Sequence, residues 1–129
     1  MCVALMLSVA DSPQPAHATS GDAVRGERLF QYCFSCHSVD PNETAKLQGP
    51  TLYRIIGRPA GSVPGFEYSE PMKEQAAKGL VWTTEILDRY VTDPDSVVPG
   101  TRMSLPGIKD AQDRADLIAY LAGSGTAKP

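Results

Sequence analysis

The chain has 129 residues, 12 of them basic and 15 acidic, for a net charge of −3. That length holds one domain with a modest core, and scattered, net-acidic charge excludes a nucleic-acid binder, which would carry a basic run or patch. Aromatic content of 7% with 11 Gly and 11 Pro points to short helices and irregular ordered loops, and three cysteines make no disulfide framework.

Val3 to Ala10 is apolar but shorter than the roughly 20 residues that span a bilayer, so no stable membrane insertion is expected. A polar, Pro-containing stretch then leads to Ala16-His17-Ala18, an A-x-A pattern that would be cut before Thr19. Residues 1–18 therefore read as a secretory signal peptide. No Lys or Arg precedes the apolar run, which leaves open a start upstream of Met1; the alternative is an N-terminal extension that docks a partner. Cys2 and His17 lie in this segment.

The folded domain is expected over residues 19–123. Asp22 can cap a first helix with Val24, Phe30 and Cys33 at helical spacing. Gly26 inside it costs about 1 kcal/mol relative to Ala, which fits either a closely crossing helix or a tolerated weak spot. Next comes Cys33-Phe34-Ser35-Cys36-His37, a C-x-x-C-H run and the attachment signature of c-type haem. Two thiols on one helical turn can both reach the vinyl groups of one porphyrin. The following His can then ligate the iron.

Asp40 to Glu43 is turn chemistry. A carbonyl near Gly49-Pro50-Thr51 could accept the proton on the far ring nitrogen of His37 and set its tautomer, although Gly-Pro alone is only a turn. Arg54, Arg58 and Tyr68 fall in a Gly/Pro-rich loop and, with Trp82, offer donors for two propionates. A lone surface Arg is ordinarily just a solvated charge. Pro71 to Lys78 reads as a short helix closed by Gly79. Thr83 or Thr84 can cap the next, with Ile86, Leu87, Tyr90 and Val91 on its apolar face and Asp93-Pro94 at its end. Pro99 to Gly107 is a loop without periodicity. Its Met103 would be apolar filler in isolation, but beside a haem signature it becomes the candidate second axial ligand. Met72 is the competing thioether, in a helical setting. Asp110 can cap the last helix, with Asp113 and Asp116 toward its positive end, Leu117, Ile118, Tyr120 and Leu121 on its apolar side, and Gly123 as its stop. Residues 124–129 form a small polar tail.

These runs, in this order, resemble the small single-haem class I cytochromes c: Gly21-Asp22, Gly26, Phe30, Cys33 to His37, Gly49 to Leu52, Gly57-Arg58, Gly61 to Phe66, Tyr68, Trp82, Tyr90, Pro99 to Met103, Gly107 to Lys109 and Arg114 to Leu121. The resemblance implies an all-α cytochrome c fold of four to five short helices around one covalent haem c. It implies thioether bonds at Cys33 and Cys36, axial ligation by His37 and Met103, and a Pro50 carbonyl on His37. Arg58, Tyr68, Trp82 and Thr101 would bond the propionates, Tyr90 would lie near the Met103 sulfur, and Gly26 and Phe30 would meet Leu117 and Tyr120 at a helix crossing. The implied function is a monomeric, periplasmic one-electron carrier between transient redox donor and acceptor proteins, not an enzyme. Two features depart from the mitochondrial pattern. Lys46, Lys73, Lys78, Lys109 and Lys128 make no lysine ring, and Leu105 followed by Pro106 stands where an aromatic is usual after the ligand Met. The rival readings are a haem protein with an open iron site, such as a gas sensor, and a zinc or thiol-redox module on Cys33, Cys36 and His37.

Overall fold

The structure, a computed structural model, describes residues 20–124. The signal-peptide reading, with Cys2 and His17, and the tail beyond Ser124 lie outside that range. Helix α1 (Ala23–Leu29) starts where expected: the Asp22 carboxylate accepts the Val24 N–H at 2.9 Å and the Arg25 N–H at 3.3 Å. The chain then tightens into a 3₁₀ turn, Phe30–Tyr32, that delivers it into the C-x-x-C-H run.

Helix α2 (Glu70–Ala77) begins one residue earlier than its proline suggests, because Pro tolerates the second helical position as well as the first; Gly79, at φ 84°, turns the chain away. Helix α3 (Thr84–Thr92) is capped by the Thr83 hydroxyl, which accepts the Ile86 N–H at 3.1 Å, and it buries Leu87, Tyr90 and Val91. Pro94 does more than end α3. It opens a further short helix, α4 (Pro94–Val97), with Val97 and Val98 buried behind it. Helix α5 (Ala111–Gly123) is capped by Asp110 on the Asp113 N–H at 2.9 Å. All the described helices fit the all-α expectation. The only bridge among the described residues pairs Pro59 with Val81.

Packing centres on the crossing of α1 and α5. A Cβ at Gly26 would stand 1.9 Å from the Asp116 carbonyl oxygen and 2.8 Å from the Tyr120 Cβ, so only glycine lets the helix backbones meet. Gly21 fits the same seam, with Ala115 O at 2.1 Å. Phe30 stacks on Tyr120 at 5.5 Å between centroids.

Asp116 corrects the reading of it as a helix-dipole charge: it is fully buried. Its Oδ1 accepts the Asp22 N–H at 2.7 Å and Gln112 Nε2 at 2.8 Å, and its Oδ2 pairs with the Arg25 guanidinium at 2.8 Å. One carboxylate thus satisfies the start of α1 from the middle of α5.

A candidate cofactor cradle built on two cysteines, a histidine and a methionine

Past the 3₁₀ turn the chain makes one further turn through the C-x-x-C-H run. Cys36 and His37 both donate their N–H to the Cys33 carbonyl, at 3.0 and 2.9 Å, so the two thiols and the imidazole share one helical turn. Cys33 and Cys36 are free thiols, both half-buried. Burial, with the neighbouring Cys36 adding to it, pushes the Cys33 thiol up to about 11, so it is protonated at neutral pH.

The His37 ring is held from one side by backbone. Its Nδ1 lies 2.7 Å from the Pro50 carbonyl oxygen, and because a carbonyl only accepts, Nδ1 carries the proton. Nε2 is left as the bare nitrogen, with no hydrogen-bond partner among the described residues. Burial lowers the His37 pKa, and the Pro50 carbonyl offsets part of that, so the ring stays neutral and its lone pair free. Gly49 was not singled out from sequence as a packing position, yet a Cβ there would stand 2.2 Å from His37 Cε1. The Gly49 N–H also bonds the Cys36 carbonyl at 2.8 Å. The Gly-Pro pair is therefore a backbone seat for the imidazole.

Cys33, Cys36, His37 and Met103 line one cavity of about 300 Å³, closed by Trp82, Tyr90, Leu117 and other core side chains. A wider hollow of about 780 Å³ shares Cys36, His37, Pro50, Tyr68, Met72, Tyr90 and Met103 with it, and adds polar residues including Glu43, Lys46, Glu67 and Arg102. Both lie in the range of about 300–1,000 Å³ that cofactor and small-ligand sites occupy. The sulfur and imidazole groups lining the apolar cavity are two thiols, one imidazole and two thioethers. Soft and imidazole donors facing an apolar void fit a covalently held haem with axial His and Met. No group of three or more His, Cys, Asp or Glu among the described residues could hold a metal ion by itself, so nothing there favours the zinc reading.

Met103 sits in a loop fixed at both ends. Upstream, its N–H donates to Thr101 Oγ1 at 3.2 Å, and that hydroxyl also bonds the Tyr90 hydroxyl at 2.9 Å. Arg102 reaches across to the Glu67 carbonyl at 3.0 Å. Downstream, the Ile108 N–H bonds the Val91 carbonyl at 2.7 Å, and Arg114 gathers the Ile108 and Lys109 carbonyls at 3.1 and 2.9 Å while pairing with Asp88 at 2.7 Å.

The other sequence candidates are drawn together unevenly. Tyr68, Trp82 and Tyr90 line the cavity, with Trp82 and Tyr90 packed at 4.9 Å between centroids. The Tyr68 hydroxyl accepts the Val63 N–H at 3.0 Å, and burial raises both tyrosine pKa values. Arg58 also lines the cavity, but its guanidinium bonds the carbonyls of Thr51, at 2.6 Å, and Tyr53. Its first role is to tie the 51–58 loop. Met72, on α2, lines both hollows as Met103 does.

The cytochrome c family model matches residues 23–124. Cytochrome c2 of Rhodomicrobium vannielii is 47% identical over 103 residues, covering 80% of this chain and 79% of that protein. Cytochrome c type-1 of Ascaris suum is 48% identical over 102 residues, covering 78% and 87%. The solved structure of cytochrome c2 from Rhodospirillum centenum aligns with a TM-score of 0.75 at 33% identity, over 82% of this chain and 100% of that one.

Proposed function

The chain belongs to the cytochrome c family, an electron carrier with one covalently bound haem c, and we propose that Cys33 and Cys36 hold that haem while His37 and Met103 are its axial ligands. The observation that carries this assignment is the single apolar cavity on which both thiols, the imidazole and the Met103 thioether converge. When bound, the haem supplies an iron that accepts and returns one electron. The protein's part is to hold both ligands still. The Pro50 carbonyl fixes the tautomer that leaves Nε2 free and makes the imidazole more basic. The Thr101 and Arg114 anchors fix the Met103 loop. The apolar walls keep water out, which favours the less charged reduced state and raises the potential.

No described helix is long and apolar enough to cross a membrane. The reading of residues 1–18 as an export signal, with the need for covalent haem loading, supports a periplasmic carrier that meets its donor and acceptor one at a time as a monomer. With both axial positions filled, the protein transforms no substrate and is not an enzyme.

Met103→Ala tests the assignment. The variant keeps covalent haem, loses the weak near-infrared band of iron–thioether ligation, binds carbon monoxide in the reduced state and has a lower potential. Met72→Ala, made beside it, leaves all four unchanged. A wild-type spectrum in Met103→Ala, or loss of the band in Met72→Ala, moves the sixth ligand away from Met103. Carbon monoxide binding by the unmutated reduced protein would replace the carrier with a ligand-binding haem protein.

A further inference from the structure

Met103 is bracketed by two left-handed glycines, Gly100 at φ 78° and Gly107 at φ 97°. Glycine adopts either sign of φ readily, so such a turn does not hold itself closed. Each turn is pinned by one charged side chain. Upstream, the Asp95 carboxylate on α4 accepts the Gly100 N–H at 2.9 Å. Downstream, the Lys109 ammonium donates to the carbonyl of Thr92, the last residue of α3, at 2.9 Å. A Cβ at Gly107 would stand 2.3 Å from that carbonyl oxygen and 3.0 Å from the ammonium, so the lysine closes over the glycine turn. Its positive charge also meets the negative end of α3.

Both side chains are exposed, and neither enters an ion pair among the described residues. Each gives its charge to one backbone group instead, in a charge-assisted hydrogen bond that closes one end of the same loop. Neither lines the apolar cavity or the wider hollow, so any influence on Met103 passes through the backbone alone. We propose that Asp95 and Lys109 are positioning residues for Met103: their two ties keep the segment from Gly100 to Gly107 closed, and so set how long the Met103 thioether stays at the iron. The proposal rests on Met103 as the axial ligand.

The probe is imidazole, added in excess to the oxidised holoprotein. At saturation it can bind no faster than Met103 leaves, and loss of the near-infrared band times that departure. Asp95→Ala and Lys109→Met each speed it by about threefold, the scale of one exposed charge-assisted hydrogen bond. The double variant speeds it by about tenfold, because the two ties share no partner. The two substitutions change net charge in opposite directions, so net charge cannot produce a shared acceleration. Asp95→Asn keeps an acceptor oxygen and Lys109→Arg keeps a cationic donor, and both retain the parent rate. Asp22→Ala removes the cap of α1, which has no part in the loop, and lowers stability without changing the rate. Acceleration in Asp95→Ala and Lys109→Met, with rescue by the conservative pair, supports the proposal. A parent-like rate in either of them, or equal acceleration in Asp22→Ala, overturns it. The near-infrared band of the unmutated protein, read first, decides the ligand assignment separately. Amide exchange at Gly100 in Asp95→Ala and at Ile108 in Lys109→Met, each faster than in the parent, reads the two ties whatever ligates the iron.

Discussion

Gly49→Ala tests how the imidazole is seated. The new Cβ would stand 2.2 Å from Cε1, 2.5 Å from Nδ1 and 2.6 Å from Nε2 of His37, where ordinary contacts begin at 3.4 Å. Gly49 has no positive φ, so alanine brings no backbone strain and the effect is one of space alone. The ring has little freedom to yield, since Nδ1 is bound to the next residue's carbonyl at 2.7 Å and the Gly49 N–H is bound to Cys36 at 2.8 Å. Ring and backbone must part by about 1 Å, which overpacks the site at a cost of about 1–3 kcal/mol. Stretching the Nδ1 bond loses about 1 kcal/mol more. A combined loss of about 2–4 kcal/mol lowers the melting temperature of a domain this size by roughly 10–25 °C. A weaker Nδ1 bond also makes the imidazole less basic, so oxidised iron is less stabilised and the potential rises. Thermal unfolding and redox titration of the holoprotein check both. A variant within about 0.5 kcal/mol of the parent, with an unchanged potential, would refute the seat.

Asp116→Asn changes the acid limb of stability. The Asp22 N–H, joined by Gln112 and Arg25 against the opposing effect of burial, holds this carboxyl below its ordinary value of 3.8. A depressed native pKa stabilises the fold above the unfolded value and loses that share as pH falls through the native one. Urea midpoints measured from pH 7 downward therefore drop below about pH 4 in the parent, and drop less steeply in Asp116→Asn, which starts lower; parallel curves would show that another group sets the limb. Replacing Cys33 and Cys36 together by Ser, so that no haem attaches, leaves the cavity of about 300 Å³ without its filling. At about 24 cal/mol per Å³ that is roughly 7 kcal/mol, comparable with the whole stability of a small domain. Far-UV circular dichroism is expected to show a largely unfolded chain; native-like helix content with cooperative melting would contradict the estimate.

Local chemistry was the most legible part of the sequence. The caps at Asp22, Thr83 and Asp110 are short-range hydrogen bonds between a side chain and the next turn, so the residue types alone place them. Gly26 was legible only as a choice between a close crossing and a tolerated weak spot, and the Asp116 carbonyl beside it decides for the crossing. What escaped depends on partners beyond the local turn. Asp116 looks like a charge toward the positive end of its helix until α1 lies across it, with the N–H of Asp22, 94 residues away, in need of an acceptor. Arg58, a propionate donor by resemblance, also ties its loop through the carbonyls of Thr51 and Tyr53, a second role that its residue type does not announce. Pro94 could be read as a stop as readily as a start, and the apolar pair Val97-Val98 behind it was the available hint of α4. Gly49 was hidden because its constraint is the ring of another residue.

The two candidate ligands reach the cavity by different means. His37 is placed by contacts within thirteen residues: the Cys33 carbonyl, the Gly49 seat and the Pro50 carbonyl. Such a ligand can be positioned by local folding. Met103 lies in a segment with no helical bonds of its own, and its place is set by what α3 and α5 hold. Tyr90 holds Thr101 on one side. On the other, Asp88 and Arg114 hold the Ile108 and Lys109 carbonyls, and Gly107, at φ 97°, allows the chain within reach of the Thr92 carbonyl. The α3–α5 packing is thus a precondition for placing Met103 and not for placing His37. Loosening the Met103 loop therefore displaces Met103 before His37, because α1 and the Cys33–His37 turn share none of those anchors.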